Sequence, residues 1–297
     1  MNTTSLKIIA LLFMLIDHMA LFIPFTPTFF HYIGRLAAPI FIFCTVVGFN
    51  YSRRKKDYLL RLYFLCVFMG IILLFVNYPF GKEYRQITTD FPRTLFTICV
   101  FIYLFYYSPI EKRSKLVSLY LLWQLITIIL IILLLNFTNL SEEFLVYTVP
   151  NLLGSILNLE GGLLFVTLGL LISSLRNTKV KLSIYYINFI LIFVLIDIFK
   201  IVPLFIGLFR RAGLCLVGDI ITFISYAIIG INPMLFTNSS NGFSLFDNYQ
   251  WLMLFALPFM LAYNQQKGRN LKYFFYIFYP THIVFLYFIG NYIYNSF

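Results

Sequence analysis

The sequence predicts an all-α integral membrane bundle of about nine to ten transmembrane helices, with a cytoplasmic N-terminus. Three observations carry that expectation. Of 297 residues, 61% are hydrophobic and only 11% charged, whereas a soluble domain carries about 25% charged residues. The apolar residues fall in blocks of spanning length, since a span needs ~20 of them. Lys and Arg, 22 against 11 Asp and Glu, gather in the short connections between blocks. Aromatics make up 20%, which suits lipid-facing surfaces and interfacial belts. Little chain remains for a soluble part, so 1–297 reads as one transmembrane domain.

The expected spans, in order, are 6–24, 32–51, 58–79, 92–108, 116–137, 159–175, 182–202, 212–236, 250–264 and 271–294. Loop 52–57 holds Arg53, Arg54, Lys55 and Lys56, loop 109–115 holds Lys112, Arg113 and Lys115, and turn 176–181 holds Arg176, Lys179 and Lys181. These alternate with 25–31, free of Lys and Arg, and with 138–158, which has only Glu142, Glu143 and Glu160 nearby. Loop 80–91 is mixed. The positive-inside rule then places the N-terminus in the cytoplasm. The second half admits two solutions. Ten spans put Arg210-Arg211 and the Lys267/Arg269/Lys272 cluster outside. Nine, with 182–209 or 212–236 partly re-entrant, bring the last cluster inside. Asp197 and Lys200, three apart, can pair on one helical face.

The net charge of +11 is thus a topology signal and not a nucleic-acid footprint. Cys44, Cys66, Cys99 and Cys215 all fall in apolar blocks without paired spacing, which argues against a disulfide framework or a zinc site. No metal-ligand spacing, Gly-rich phosphate loop or Ser-His-Asp arrangement is visible. The block at 6–25 contains Asp17-His18 and runs into Pro24 and Pro27, unlike a cleavable signal peptide.

Candidate chemistry lies in ionisable residues buried in apolar blocks, which cost at least ~2.5 kcal/mol at mid-membrane on insertion scales. Asp17 and His18 are one such pair. At ~1.5 Å per residue His18 lies ~18 Å along a helix from Leu6, and His282 ~16 Å into a helix from Leu271. Two distant segments therefore bring histidines to comparable depth. Helical neighbours do not face each other, so Asp17 needs a partner other than His18, and Arg35 at the start of the next span is the candidate. Pro39 within that span kinks it and frees carbonyls. Arg53 and Arg54 could meet the phosphates of a cytosolic donor. His31, beside Tyr32, reads as an interfacial residue.

At these positions the chain resembles the TraX family of bacterial membrane acyltransferases. The resemblance rests on Leu15–His18, Gly34–Phe41, Gly48-Phe49, Tyr58–Leu62 and Phe96-Thr97. It continues with Tyr263-Asn264, Gly268, Lys272 and Phe275–His282. Two departures are Val47, where the family often has an acid, and Gln265, where a Gly commonly stands. The resemblance implies a bacterial cytoplasmic (inner) membrane protein. It would transfer an acyl group, most simply acetyl, from cytosolic acetyl-CoA to an amine or hydroxyl. The acceptor would be a peptide, lipid or glycan, and pilin-subunit acetylation is the reaction tied to the family. Under that reading His18, Asp17 and His282 are catalytic, and Arg35, Tyr279, Arg53 and Arg54 contact substrate. A transporter or flippase using Asp17, His18, Arg35, Asp197 and Lys200 is the alternative, with purely structural polar contacts a third.

Overall fold

A computed structural model describes residues 1–80, 87, 90–142, 144–176, 178–231 and 249–296, without the side chains of 78–80 and 197. All regular structure among them is helical. The elements are α1 (Thr3–Phe22), α2 (Phe29–Gly34), α3 (Ala37–Tyr51), α4 (Lys55–Phe80) and α5 (Phe91–Ile102), then α6 (Ile110–Phe137). They continue with α7 (Val149–Leu153), α8 (Gly162–Leu175), α9 (Lys179–Ile198) and α10 (Ile201–Arg211). The last are α11 (Cys215–Phe223), α12 (Leu257–Leu261) and α13 (Lys272–Ser296).

Six stretches are long and apolar enough to cross a membrane, namely Thr3–Phe22, Phe29–Tyr51, Lys55–Asn77, Ile110–Phe137, Lys179–Arg211 and Lys272–Ser296. Four expected spans, 92–108, 159–175, 212–236 and 250–264, correspond instead to shorter apolar helices. Hydropathy reports apolar length but not where the backbone changes form. π-helical turns at Tyr103–Tyr107 and Ile224–Ile229, and a 3₁₀ segment at Tyr249–Ala256, subdivide three of these blocks. The connection expected at 138–158 holds a further apolar helix, Phe144–Leu153. Residues 232–236 of one expected span, Glu143 and most of loop 80–91 lie outside the described residues.

The second span is broken at Arg35-Leu36, between α2 and α3. Pro39 stands in the first turn of α3, where its missing N–H is tolerated, and it supplies no donor to the Arg35 carbonyl four residues back. The break the sequence implies at Pro39 therefore appears one turn earlier.

The chain ends of the bundle are tied together. Thr3 N donates to Gln266 O at 2.9 Å, Asn264 N to Met1 O at 2.9 Å, and Thr4 Oγ1 to Arg269 O at 2.7 Å. The Lys267/Arg269/Lys272 cluster thus shares the N-terminal face. Gln265 has φ +63°, a left-handed conformation that glycine adopts without strain.

On the same face Tyr107 Oη donates to Asn50 Oδ1 at 2.7 Å, and Asn50 Nδ2 to Ser173 Oγ at 3.0 Å. The basic segments 53–56, 112–115, 176–181 and 267–272 therefore share one face of the bundle. Lys55 Nζ caps α3 through the carbonyls of Phe49, Asn50 and Ser52 at 2.7–2.9 Å, a structural use of one cation in the basic run.

The core runs between α1, α3, α5, α8 and α13, around fully buried Leu6, Ile40, Phe49, Ile98, Leu168 and Ile283. The expected Asp197–Lys200 pair lies partly outside the described residues. α9 ends at Ile198 and Lys200 sits in the break at φ +46°, while the Asp197 side chain lies outside the described residues.

Candidate functional site

Asp17 and His18 point to different partners, as adjacency on a helix requires. His18 Nδ1 lies 2.7 Å from His282 Nε2, and His282 Nδ1 lies 2.8 Å from the Phe278 carbonyl. Both histidines are only 5% exposed. The Phe278 carbonyl can only accept, so His282 carries its proton on Nδ1 and, when neutral, accepts at Nε2. His18 must then donate from Nδ1, which leaves its Nε2 as an acceptor. The two rings lie near one plane, 8° apart, and Phe278 stacks on His282 at 4.9 Å. Pro280, two residues before His282, supplies no donor to the Tyr276 carbonyl in the α13 ladder, and Thr281 Oγ1 donates to the Ile277 carbonyl at 2.7 Å.

Asp17 meets two cationic or polar groups from the next segment. Its Oδ1 is 2.8 Å from His31 Nδ1 and its Oδ2 is 3.3 Å from Arg35 Nη2. Arg35, the expected partner, is present. His31, read as merely interfacial, is a second one, because α2 returns along α1 and brings it level with Asp17. Gly34 makes this close return possible, since a methyl there would overlap the Asp17 side chain. Arg35 also lies over the Tyr249 ring, 5.3 Å from its centre.

Asp17, His18, Gly34 and Arg35 line a cavity of about 170 Å³, together with Glu160, Phe41, Phe91 and Tyr279. The Tyr279 hydroxyl accepts Phe91 N at 3.1 Å. Glu160 enters from the connection before α8. Its Oε2 accepts Asp90 N at 3.2 Å, and its backbone carbonyl accepts Thr94 Oγ1 at 2.9 Å. Beneath it lies a buried pair, Asp90 Oδ2 to Arg93 Nε at 2.9 Å, and Arg93 Nη2 donates to Asn158 O at 2.8 Å. Removing one member of such a pair strands the other charge, typically at ~3–5 kcal/mol. Burial first, and then the Asp90 and Asp17 charges, push the Glu160 carboxyl up to about 7, while Arg35 opposes them.

Glu160, Asp90 and Arg93 carry no role in the sequence reading. An Asp-x-x-Arg spacing opening an apolar helix was the available sign for the latter two, but loop 80–91 read only as mixed charge. Arg53 and Arg54 are not brought to the cavity. They are exposed at the end of α3, and Arg54 pairs with Asp57 at 3.7 Å. On the same basic face a separate cavity of about 290 Å³ is lined by Arg176, Lys179, Tyr51 and Tyr263. The buried Nε of Arg176 has no hydrogen-bond partner among the described residues.

Fold and site together define a multi-pass membrane protein with an ionisable chamber enclosed between α1, α3 and α13. A family model described as TraX protein matches residues 2–160. That is more than half of the chain, which therefore belongs to the TraX family. The matched part contains Asp17, His18, Arg35, Asp90, Arg93 and Glu160, and ends before His282. No curated protein and no solved structure matches the chain.

Proposed function

We propose that this protein is an acetyl-CoA-dependent N- or O-acetyltransferase of the bacterial cytoplasmic membrane, acting on an amine or hydroxyl of a peptide, lipid or glycan acceptor. The pilin-subunit acetylation tied to the family is one reaction of this type. The observation that carries the reading is His18, whose Nε2 is held as an acceptor by the His282–Phe278 chain beside a cavity that also contains Arg35. General base catalysis of this kind contributes typically 10²–10⁴-fold.

In the proposed reaction the acceptor nucleophile attacks the thioester carbonyl. The new C–N or C–O bond forms as the C–S bond breaks. The proton released by the acceptor passes to His18 Nε2 and then to the departing CoA sulfur. Arg35 is placed to steady the developing negative charge on the carbonyl oxygen, and Asp17 with His31 fixes the Arg35 guanidinium. Tyr279 shapes the wall opposite.

The concentration of basic segments on one face supports a cytoplasmic N-terminus and a donor arriving from that side. The phosphate-binding role expected of Arg53 and Arg54 fits Arg176 and Lys179 better, because those line a cavity with two tyrosines. The test is turnover of labelled acetyl-CoA by the purified protein in lipid, wild type against His18→Ala. CoA release that requires His18 supports the reading. Substrate uptake by proteoliposomes without any acyl-CoA binding would replace it with the transporter reading.

A further inference from the structure

The chamber at His18 is the inner end of a series of spaces. Four of its lining residues, Met14, Phe41, Phe91 and Tyr279, also line a neighbouring space of about 90 Å³, whose polar groups are Lys7, Thr45 and Tyr58. Leu65 and Tyr276 in turn border both that space and a groove of about 1130 Å³ between α4 and α13. Leu65 and Tyr276 thus stand as a doorway between the groove and the interior.

The groove is built for an amphiphile. Its walls include Phe64, Phe68, Ile277 and Phe285, which are 65%, 51%, 65% and 63% exposed and so face the hydrocarbon of a bilayer. Two cations, Arg61 and Lys272, line it, and no acidic residue does. Lys272 opens α13 directly after the basic turn, which places the charged end of the groove on the basic face. From Arg61 to Ile72 the α4 wall runs ~16 Å, about half of a ~30 Å hydrocarbon core. The α13 wall continues from Lys272 to Tyr292, ~30 Å of helix, so the part of the groove flanked by both walls is one leaflet deep. Basic pockets between membrane helices recognise anionic head groups.

We infer that this groove holds an anionic phospholipid of the leaflet on the basic face. Its phosphodiester meets Arg61 and Lys272, and its chains follow Phe64, Phe68 and Ile277. For transfer the phosphodiester leaves the two cations, because Lys272 and His282 stand ten residues apart on α13, ~15 Å, and the doorway at Leu65 and Tyr276 then admits the headgroup to the polar space of Lys7 and Tyr58, and from there to His18. This makes the acceptor a hydroxyl on a lipid headgroup, a step that rests on the acyl-transfer reading. There the headgroup oxygen forms an ester bond to the acetyl carbon, the C–S bond of the thioester breaks, and the hydroxyl proton travels through His18 to the CoA sulfur.

The experiment uses the full-length protein and two lipids, phosphatidylglycerol and phosphatidylcholine. Lipid retained through purification is measured by native mass spectrometry. Retention favouring phosphatidylglycerol by about tenfold or more, the scale of two membrane-facing cations, and falling to parity in the Arg61→Gln/Lys272→Gln variant, is the expected result. Equal retention of both lipids, or a preference the double variant keeps, overturns the site. The doorway is tested with Leu65→Trp, which is expected to keep the lipid preference and to lose acetyl-phosphatidylglycerol formation. Acetylation of a water-soluble amine by the wild type, with phosphatidylglycerol bound but never acetylated, overturns the lipid acceptor and leaves acyl transfer standing. His18-dependent CoA release absent with every acceptor refutes acyl transfer, while lipid retention still decides the groove.

Discussion

His18 Nδ1 and His282 Nε2 meet at 2.7 Å across 264 residues of sequence, and this bond decides which nitrogen of His18 is left to accept a proton. The Phe278 carbonyl fixes His282, and His282 fixes His18. A proton taken up at His18 Nε2 makes an imidazolium whose Nδ1–H already has an acceptor, so the charged form is met by a bond in place.

Substitution at the two histidines should separate these roles. His18→Ala is expected to lower kcat by ~10²–10⁴-fold, the worth of a general base. His282→Ala should lower it less, because Nε2 of His18 survives while its tautomer is no longer held. It should also leave the buried Nδ1–H of His18 unpaired, at about 1–3 kcal/mol of stability. Steady-state kinetics and thermal unfolding of the same preparations check both.

Arg35 and Asp17 are expected to couple. Each single variant, Arg35→Gln or Asp17→Asn, leaves a charge without its counterpart in a half-buried site, and should lower the unfolding temperature. The double variant should recover part of the loss. A double-mutant cycle by thermal unfolding checks this, and purely additive effects would show that the 3.3 Å contact contributes nothing.

Glu160 should make stability depend on pH. Its carboxyl is pushed up to about 7 from an ordinary value of 4.5, so the folded protein holds a proton that the unfolded chain releases. The resulting stabilisation is fully present below about 4.5 and is lost as pH rises through about 7. Wild type should therefore gain in unfolding temperature between pH 8 and pH 5 relative to Glu160→Gln, which lacks this titration. Parallel curves for the two proteins would refute the assignment.

Donor recognition should follow the basic cavity and not the exposed arginines. Arg176→Gln is expected to raise the KM for acetyl-CoA by about 10–100-fold, the range of a lost hydrogen bond to a charged group, with little change in kcat. Arg53→Gln/Arg54→Gln should leave KM near the wild-type value. The reverse pattern would restore the expectation drawn from the sequence.

Gly290 should be intolerant of a side chain. A methyl there would collide with the Phe22 carbonyl and push α13 from α1, which carries His18. Gly290→Ala is expected to cost ~1–3 kcal/mol, the usual scale of overpacking, and to lower activity with both histidines intact. Unfolding temperature and acetyl-CoA turnover measured together check it.

Composition and charge placement carried the class. Apolar blocks between basic loops specify a helical membrane protein because a bilayer admits only segments that satisfy their own backbone. Asp17, His18 and His282 stood out because ionisable groups in apolar blocks are costly, and Arg35 followed from the short link between the first two helices. The site remained incomplete because its other members lie in connections or in the helix turns that adjoin them. Glu160, Asp90 and Arg93 read as ordinary loop or interfacial charges until folding buries them, and His31 depends on α2 doubling back on Gly34. The sequence by itself determined that the chain enters the membrane and which residues are too polar to lie idle there. Only the tertiary structure decided which of them meet, because the partners come from segments as far apart as α1 and α13, and distance along the chain says nothing about distance across a bundle.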